Sequence, residues 1–314
     1  MAETRTIRRQ VLSAMDQNGP SERLALADQL GLDEAFLAPV LQELKQTGLI
    51  QEIGGRWLLA DAAYTLTPSW LTAFSPDIEW HYQPEVDSTN AWAIRTAASR
   101  SMPANSVFLA RTQTAGRGRR GRTWVSPEGS LCFSLAMRHQ LGPERLVCLP
   151  LVTGLAVAET LDSFGVKCQV KWPNDLLYSD KKIAGILLET ALGFDKMGYV
   201  ILGIGLNLNN HPETDGFTAI SLSEILGRDR VPGLILSEMI DEILKRFSEL
   251  QEYGFRNLQA DYLKRMARLG ETVRVAVGDR IIEGQNIGIN ELGNLLIRHR
   301  DQTMTTVHTG DVLW

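Results

Sequence analysis

The spacing of apolar residues changes twice along the chain, and these changes constrain the fold more than any other feature. Residues 1–62 show helical spacing followed by a short alternating stretch, residues 81–268 mix both patterns, and residues from Glu271 onward form short alternating runs. A chain of 314 residues is long enough for two or three domains. We therefore predict an α+β protein of several domains.

The N-terminal segment predicts three helices followed by a β-hairpin. The first helix is interrupted by Asn18-Gly19-Pro20, the second ends at Gly31, and the third ends at Gly48. The run LIQEIGGRWLL then reads as two short strands around the turn Gly54-Gly55. Three helices and a hairpin in this order resemble a winged helix-turn-helix.

The other segments have their own signatures. Residues 63–80 read as a connector with Pro68 and Pro76, and the short strands after Glu271 predict a small β-barrel-like domain. The apolar run 146–158 is too short to span a bilayer and predicts a buried helix. The charged start of the chain carries no secretory signal pattern, so we expect a cytoplasmic protein without a membrane segment. Three scattered cysteines argue against a disulfide framework or a zinc site.

Positive charge is concentrated in one region of an otherwise acidic chain. The formal net charge is −5, yet residues 88–127 contain seven arginines and neither aspartate nor glutamate. Four of these arginines alternate with glycines in GRGRRGRTW, residues 116–124. Glycine permits close backbone approach, and arginine offers a planar fork that matches carboxylate or phosphate. The loop is interpreted as an anion site that is mobile when empty. The alternatives are a solvated basic loop and a patch that binds nucleic acid nonspecifically.

Two further stretches suggest ligand contacts. In the strand pattern of residues 199–209, one face carries Gly203, Gly205 and Asn207, which favours close approach of a ligand over a simple bulge. The run KWPND, residues 171–175, predicts a strand that ends in a turn, and Lys182 follows at the start of the next strand. Lys182 can pair with a carboxylate or phosphate, although the local pattern by itself favours an edge lysine whose ammonium reaches the solvent.

Together these motifs resemble the biotin–protein ligase family. GRGRRGRTW, KWPND, KKIAGILLE and GIGLN match the family's motifs in its order, as does the upstream run DSTN. The resemblance covers most of residues 81–210 and implies three domains. These would be a winged helix-turn-helix at 1–66, a mixed-sheet catalytic domain similar to class II synthetases at 67–268, and an SH3-like β-barrel at 269–314.

The resemblance also implies a two-step reaction. Biotin and ATP would give biotinyl-5′-AMP, and a lysine of a biotin carboxyl carrier protein would then take the biotin. Lys182 and Arg119 would be catalytic. The biotin contacts would be Ser88, Thr89, Asn90, Gln113, Gly116, Arg117, Gly118, Arg119, Lys182, Gly185, Gly203 and Gly205, with the two strand glycines leaving room for the biotin rings. The ATP or adenylate contacts would be Arg117, Arg119, Arg122, Trp124, Asn174, Asp175, Lys182 and Asn207, with Mg²⁺ near Asp175.

One position departs from the family pattern. Some members place an aromatic residue over the adenine where this chain has Ala219, with Phe217 two residues earlier. Adenine stacking at this place is therefore not expected from Ala219 itself.

The N-terminal segment leaves a second function open. Some family members repress biotin synthesis genes, and Arg5, Arg8, Arg9 and Arg56 could form a basic patch for operator DNA. Residues 1–66, however, contain nine acidic and six basic residues, and the third helix starts with Asp33-Glu34 and holds Pro39. The competing hypothesis for this segment is a vestigial winged helix that packs or regulates without binding DNA. For the whole chain, the alternatives to a biotin ligase are a lipoate or octanoate ligase and a DNA-binding biotin sensor without ligase activity. A homodimer of the adenylate-bound form is implied by the resemblance alone.

Overall fold

The N-terminal helices pack around a small antiparallel sheet. The computed structural model describes residues 2–67, 71, 75, 77–194, 196, 198–213 and 218–313. Its first elements are α1 (Ala2–Asn18), β1 (Ser21–Glu22), α2 (Arg23–Leu30), α3 (Glu34–Gln46), β2 (Ile50–Ile53) and β3 (Arg56–Leu59). The strand order is β1-β3-β2, with both pairs antiparallel. The predicted three helices and hairpin are confirmed.

Local chemistry sets the ends of these helices. Gly31 ends α2 with a left-handed φ of 65°, and Asp33 caps α3 by accepting the Ala35 N–H at 2.7 Å. The helix continues through Pro39, although proline normally disrupts the interior of a helix. The connector residues Pro68 and Pro76 lie outside the described residues.

A mixed seven-stranded sheet forms the centre of the molecule. Its strand order is β4-β5-β6-β10-β9-β8-β7; β4 and β5 are parallel, and the other neighbours are antiparallel. The strands are β4 (Glu79–Val86), β5 (Asn105–Gln113), β6 (Leu131–Arg138), β7 (Gln169–Lys171), β8 (Asp175–Tyr178), β9 (Lys181–Leu192) and β10 (Gly198–Leu206). The predicted alternation of residues 199–209 is confirmed, because Val200, Leu202 and Ile204 all point into the main core.

Helices cover both faces of this sheet. The helix α4 (Thr89–Ser99) packs on one face against Phe108 and Ile201. On the other face lie α5 (Pro143–Leu146), α6 (Leu149–Ser163), α7 (Leu222–Leu226), α8 (Pro232–Tyr253) and α9 (Gln259–Arg265). The apolar stretch 143–163 has the length and composition of a membrane span, but 67% of it is buried inside the protein. It is a core helix here, as residues 146–158 predicted.

The C-terminal strands form a separate antiparallel sheet. They are β11 (Thr272–Val277), β12 (Arg280–Ile289), β13 (Leu295–Arg298), β14 (Met304–Val307) and β15 (Asp311–Leu313). Their order is β14-β13-β12-β11-β15. Because β15 is an edge strand beside β11, its first residue can reach the central domain, and this contact matters for the site.

Candidate active site

One cavity of about 770 Å³ collects the residues that the motifs single out. It lies where β5, β7, β8, β9 and β10 meet the arginine-glycine loop and β15. Apart from Gly116, all the residues assigned to catalysis, biotin or nucleotide line it: Ser88, Thr89, Asn90, Gln113, Arg117, Gly118, Arg119, Arg122, Trp124, Asn174, Asp175, Lys182, Gly185, Gly203, Gly205 and Asn207. Residues up to 119 positions apart in the chain are thus brought to one place.

The start of α4 forms a preorganised polar end of the cavity. The Gln113 side-chain oxygen accepts the Thr89 N–H at 2.9 Å, and the Ser134 hydroxyl donates to Asn90 Oδ1 at 2.5 Å. The Asn90 amide donates to Glu189 at 2.9 Å. These bonds fix the rotamers of buried polar side chains, so their remaining donors and acceptors keep one orientation toward a ligand.

Three strand glycines make room for side chains of the protein itself. A Cβ on Gly203 would lie 2.4 Å from Asn90 Oδ1, and a Cβ on Gly205 would lie 2.3 Å from the Trp124 ring. Gly185 similarly faces Trp124 at 2.9 Å. Asn90 and Trp124 thus lie against Gly203 and Gly205 and form part of the cavity wall, both glycines line the cavity, and room for the biotin rings beside them stays a prediction.

The arginine-glycine loop is folded into a closed turn by its own backbone. Gly118 N–H donates to Arg122 O at 2.7 Å, and Trp124 N–H donates to Gly116 O at 2.9 Å. Arg120 has a φ of 54°, a left-handed conformation that a non-glycine residue seldom adopts. A Cβ on Gly116 would lie 2.3 Å from the Trp124 carbonyl oxygen, so glycine is needed where the two arms of the loop meet.

Asp311 of β15 gathers three of the loop arginines. Its carboxylate lies 3.3 Å from Arg119, 3.2 Å from Arg120 and 3.1 Å from Arg122. The Arg119 guanidinium also donates to Asn174 Oδ1 at 2.9 Å. Sequence reasoning missed Asp311 because it is 192 residues from Arg119 and has no local motif. The loop thus already binds an anionic group, supplied by the C-terminal domain.

Lys182 stands at the centre of the cationic half of the cavity. Its ammonium lies 2.7 Å from Asp175 Oδ1 and 5.4 Å from the centre of the Trp124 ring. Only 18% of the Lys182 side chain is exposed, which argues against the solvated edge lysine. The Ile220 N–H donates to the Lys182 carbonyl at 3.0 Å, and this contact places Ala219 beside Lys182. Phe217 lies outside the described residues.

Lys171 is a second ammonium that the sequence reasoning left unassigned. It belongs to the KWPND run, lines the cavity and pairs across the strands with Asp175. Burial lowers the pKa of its amino group, with nearby Lys182 acting in the same direction and Asp175 opposing it. Among the described lining residues, five cations outnumber three carboxylates, namely Arg117, Arg119, Arg122, Lys171 and Lys182 against Asp175, Asp180 and Asp311. The cavity therefore favours anions.

Asn207 offers a buried oxygen to a ligand. The side chain is 1% exposed, and its amide nitrogen donates to the Lys182 carbonyl at 3.1 Å. Its Oδ1 has no hydrogen-bond partner among the described residues, although Asn207 lines the cavity. An unpaired buried acceptor is costly, so a ligand or ion that binds here gains by satisfying it.

Metal ligands are sparse in this cavity. Within the described ranges, no group of three or more histidine, cysteine, aspartate or glutamate side chains is arranged to hold a metal ion. Asp175 supplies a single carboxylate, already paired with Lys182. Such a site fits an ion that arrives on substrate phosphates and needs one or two protein oxygens.

The arginines predicted to contact DNA are only partly free. Arg8 pairs with Glu43 of α3, and Arg9 pairs with Asp241 of α8. Arg56, at the start of β3, is exposed. The side chain of Arg5 lies outside the described part of the structure. Two of the four expected phosphate contacts are therefore neutralised by carboxylates, and the basic patch as a whole stays a prediction.

Known proteins share both the sequence and the architecture. Residues 82–207 match the Biotin/lipoate A/B protein ligase family, and residues 269–313 match the Biotin protein ligase C terminal domain. A biotin–[acetyl-CoA-carboxylase] ligase of Paracoccus denitrificans is 35% identical over 223 residues, which are 68% of this chain and 91% of that protein. The chain belongs to the biotin protein ligase family.

Other biotin protein ligases extend this likeness. The bifunctional ligase/repressor BirA of Escherichia coli (strain K12) is 33% identical and covers 87% of this chain and 86% of its own length. That span is longer than residues 67–314, so the alignment reaches the N-terminal helices. The structure of the Aquifex aeolicus biotin protein ligase in complex with biotin and ATP has a TM-score of 0.65 and 30% identity, covering 75% of this chain and 97% of its own.

Proposed function

We propose that this protein is a biotin–protein ligase that uses ATP to attach biotin to a lysine of a biotin carboxyl carrier protein. The observation that carries the proposal is one cavity that joins a fixed polar pocket to a cluster of cations, in a chain of the biotin protein ligase family. Two anionic substrates, a carboxylate and a triphosphate, must meet before they can react. The excess of positive charge offsets their repulsion.

The polar end of the cavity is assigned to biotin. Thr89, Asn90 and Gln113 would meet the polar ring atoms, because hydrogen bonds already hold these side chains in place. The Trp124 ring would lie against the apolar part of biotin, since it covers Gly205 and Gly185 next to that pocket. The remaining proposed biotin contacts are Ser88, Gly116, Arg117, Gly118, Arg119, Lys182, Gly185, Gly203 and Gly205.

The cationic end of the cavity is assigned to the nucleotide. Arg119 and Lys182 would stabilise the negative charge that grows on the α-phosphate when a biotin carboxylate oxygen attacks it and pyrophosphate leaves. Asp175 is the proposed protein ligand of a Mg²⁺ ion that arrives with ATP. Asn207, whose Oδ1 has no hydrogen-bond partner among the described residues, lines the same cavity. The further nucleotide contacts would be Arg117, Arg122, Trp124 and Asn174.

The second step consumes the adenylate. The amine of the acceptor lysine attacks the biotin carbonyl carbon, an amide forms, and AMP leaves with the phosphate oxygen. The mixed anhydride must be kept from water until the acceptor arrives, and the closed loop 116–124 lies over the cavity where it can do so. The matched ligase of Paracoccus denitrificans is named for acetyl-CoA carboxylase, which supports a carrier domain of that enzyme as the acceptor.

Relatives favour biotin over the lipoate alternative. The Biotin/lipoate family description covers both chemistries, but the C-terminal match is to biotin protein ligases alone, and the Aquifex aeolicus complex contains biotin and ATP.

We also propose the finer architecture that the sequence predicts: a winged helix-turn-helix at 1–66, a class II synthetase-like catalytic domain at 67–268 and an SH3-like barrel at 269–314. A cytoplasmic location and dimerisation of the adenylate-bound form belong to the same proposal.

A second function, repression of biotin synthesis genes, is proposed for the N-terminal segment. The specific observation is that two relatives named bifunctional ligase/repressor BirA align over 87% of this chain, a share that extends into the N-terminal helices. Arg56 is the exposed cation on the hairpin that would follow a DNA groove.

Mass spectrometry of an acceptor domain tests the ligase proposal. The full-length protein is mixed with biotin, ATP, Mg²⁺ and a biotin carboxyl carrier domain, and the acceptor is expected to gain the mass of one biotin at a single lysine. Matched reactions contain lipoate or octanoate in place of biotin, or lack ATP. Modification by lipoate instead of biotin, or no modification with any acid, would overturn the assignment.

A further inference from the structure

A buried ion pair joins the N-terminal helices to the catalytic domain. Asp16, near the end of α1, pairs with Arg230, just before α8, and their side chains are 1% and 2% exposed. The Arg230 guanidinium also lies 5.4 Å from the centre of the Phe164 ring. Neither residue lines the cavity, so the proposed ligase chemistry does not use them directly.

Each charge of this pair is tolerated in the interior because the opposite charge lies beside it. Burial raises the pKa of Asp16 and lowers the pKa of Arg230, because each charge has lost its water. Removing one partner would leave an uncompensated charge in the interior, which is strongly unfavourable. The neighbouring Arg228 donates to the Gln17 carbonyl at 2.6 Å, so the end of α1 is held to this segment at two successive residues.

Arg230 is in turn held to the strand that builds the site. Its N–H donates to Asn209 Oδ1 at 2.8 Å, and its carbonyl accepts the Asn209 amide at 2.9 Å. Asn209 follows Asn207 by two residues at the end of β10. Asn207 lines the cavity, and its N–H donates to the Ile183 carbonyl at 2.8 Å, beside Lys182. Contacts therefore run without a gap from α1 to the nucleotide end of the cavity.

We propose that Asp16 is a positioning residue for the nucleotide half of the active site, acting through Arg230 and Asn209 on the placement of Asn207. The N-terminal segment thereby becomes part of the ligase machinery, whether or not it binds DNA. This inference rests on the proposed ligase function for its kinetic consequence, whereas its structural consequence, faster amide exchange at the contacts of Arg230 and Asn209, does not depend on any catalytic activity.

The two halves of the cavity should respond differently. Hydrogen bonds among Thr89, Asn90 and Gln113 and to Ser134 and Glu189 hold the biotin half in place. In the described part of the structure, none of these bonds involves residues 207–209 or Arg230. Loosening Asn207 should therefore weaken ATP binding and leave biotin binding nearly unchanged.

The test uses full-length variants with a matched control. Asp16→Asn keeps the shape of the side chain and removes its charge. The double variant Asp16→Asn with Arg230→Met removes both charges, so it leaves no unpaired charge in the interior and is expected to fold even if the single variant does not. The control is Asp241→Asn, which breaks the other ion pair between α1 and the catalytic domain, Arg9 with Asp241, at a half-exposed position. The control separates site positioning from loss of any interdomain ion pair.

Two readouts decide the outcome. Hydrogen exchange at the amides of Asn207, Asn209 and Arg230 should become faster in both Asp16 variants and stay unchanged in the control. The KM for ATP should rise about tenfold in the Asp16 variants, with the KM for biotin and the kcat changed less than about twofold. Unchanged exchange at these amides would overturn the inference, even if no ligase activity were found. In an active ligase, faster amide exchange with an unchanged KM for ATP would overturn the kinetic part of the inference. An equal rise of the KM for ATP in Asp241→Asn would overturn it as well.

Discussion

At the scale of single residues, the site depends on glycines in β9 and β10, which leave room because they have no side chain. Gly185, Gly203 and Gly205 carry no side chain where Asn90 and Trp124 need to pack, and each close approach is shorter than a real Cβ contact allows. Strand glycines lower β-propensity and are retained where another group must come close. Here the approaching groups belong to the protein, and they shape the proposed biotin pocket.

Adding one methyl group should test this packing. In Gly205→Ala, the new Cβ would meet the Trp124 ring at 2.3 Å and displace it, so biotin affinity should fall about tenfold, on the scale of an overpacked interior. Titration calorimetry with biotin measures the change. The control is Gly198→Ala in the same strand, where the nearest atom is the flexible His139 ring at 3.3 Å. Equal affinity in both variants would contradict the role given to Trp124.

Lys182 provides the second test at this scale. In Lys182→Ala, the rate of biotinyl-AMP formation should fall by about 10²- to 10³-fold, the usual effect of losing one transition-state donor. Single-turnover adenylation measured by rapid quench reports this step. The control is Lys181→Ala, because Lys181 is 42% exposed and lies 3.9 Å from Glu224 at the surface. An unchanged single-turnover rate would remove Lys182 from the mechanism.

At the scale of elements, the arginine loop and β15 act as one unit. Asp311 is shared by three guanidinium groups that would otherwise repel one another within a loop rich in glycine. The sequence predicted a loop that is mobile when empty and ordered by an anion, and that mobility stays a prediction. The structure adds that an aspartate of another domain can play the part of the anion.

Removing this carboxylate should open the loop. In Asp311→Asn, trypsin should cleave after Arg119, Arg120 or Arg122 about fivefold faster than in the wild type, since one partly exposed ion pair contributes roughly 1 kcal/mol. Mass spectrometry of timed digests identifies the cut sites, and biotin with ATP should slow cleavage. Asp301→Asn, an exposed change in the same domain, serves as the control. Equal cleavage in the two variants would show that Asp311 does not hold the loop.

At the scale of the whole molecule, charges on the N-terminal helices serve the assembly of domains. Arg9 pairs with α8, and Asp16 forms the buried pair with Arg230, so α1 is fastened to the catalytic domain at both of these residues. An N-terminal segment that is held in this way has fewer arginines available for DNA. Operator binding would have to rely on Arg56 and on groups outside the α1 contact.

A gel shift with the chain's own biotin-gene promoter tests this expectation. A shift should appear at low salt only when biotin and ATP are present, and Arg56→Ala should weaken it and lower the magnitude of the salt slope by about 0.9 per lost phosphate contact. Arg280→Ala, an exposed change in the C-terminal sheet, is the control. The absence of a ligand-dependent shift at low salt would end the repressor proposal and leave the ligase proposal intact.

Local patterns in the chain predicted most of the elements and the residues that line the cavity. Hydrophobic spacing predicted the N-terminal helices, the β2-β3 hairpin, the core helix α6 and the alternation of β10, because these patterns reflect burial within a few residues of the chain. The motifs 116–124 and 171–175 also named the residues that line the cavity, since each motif is local and supplies its own charges and turns.

The charges that meet across long stretches of the chain could not be predicted from local patterns. Asp311 reaches the loop from 192 residues away, Trp124 folds over the strand glycines, and Asp16 pairs with Arg230. None of these partners is marked by a local pattern, because a long-range contact depends on how separate elements pack and on which charges lose water together. The motifs thus predicted the side chains that would contact a ligand, whereas the fold determined which groups of the protein these side chains contact.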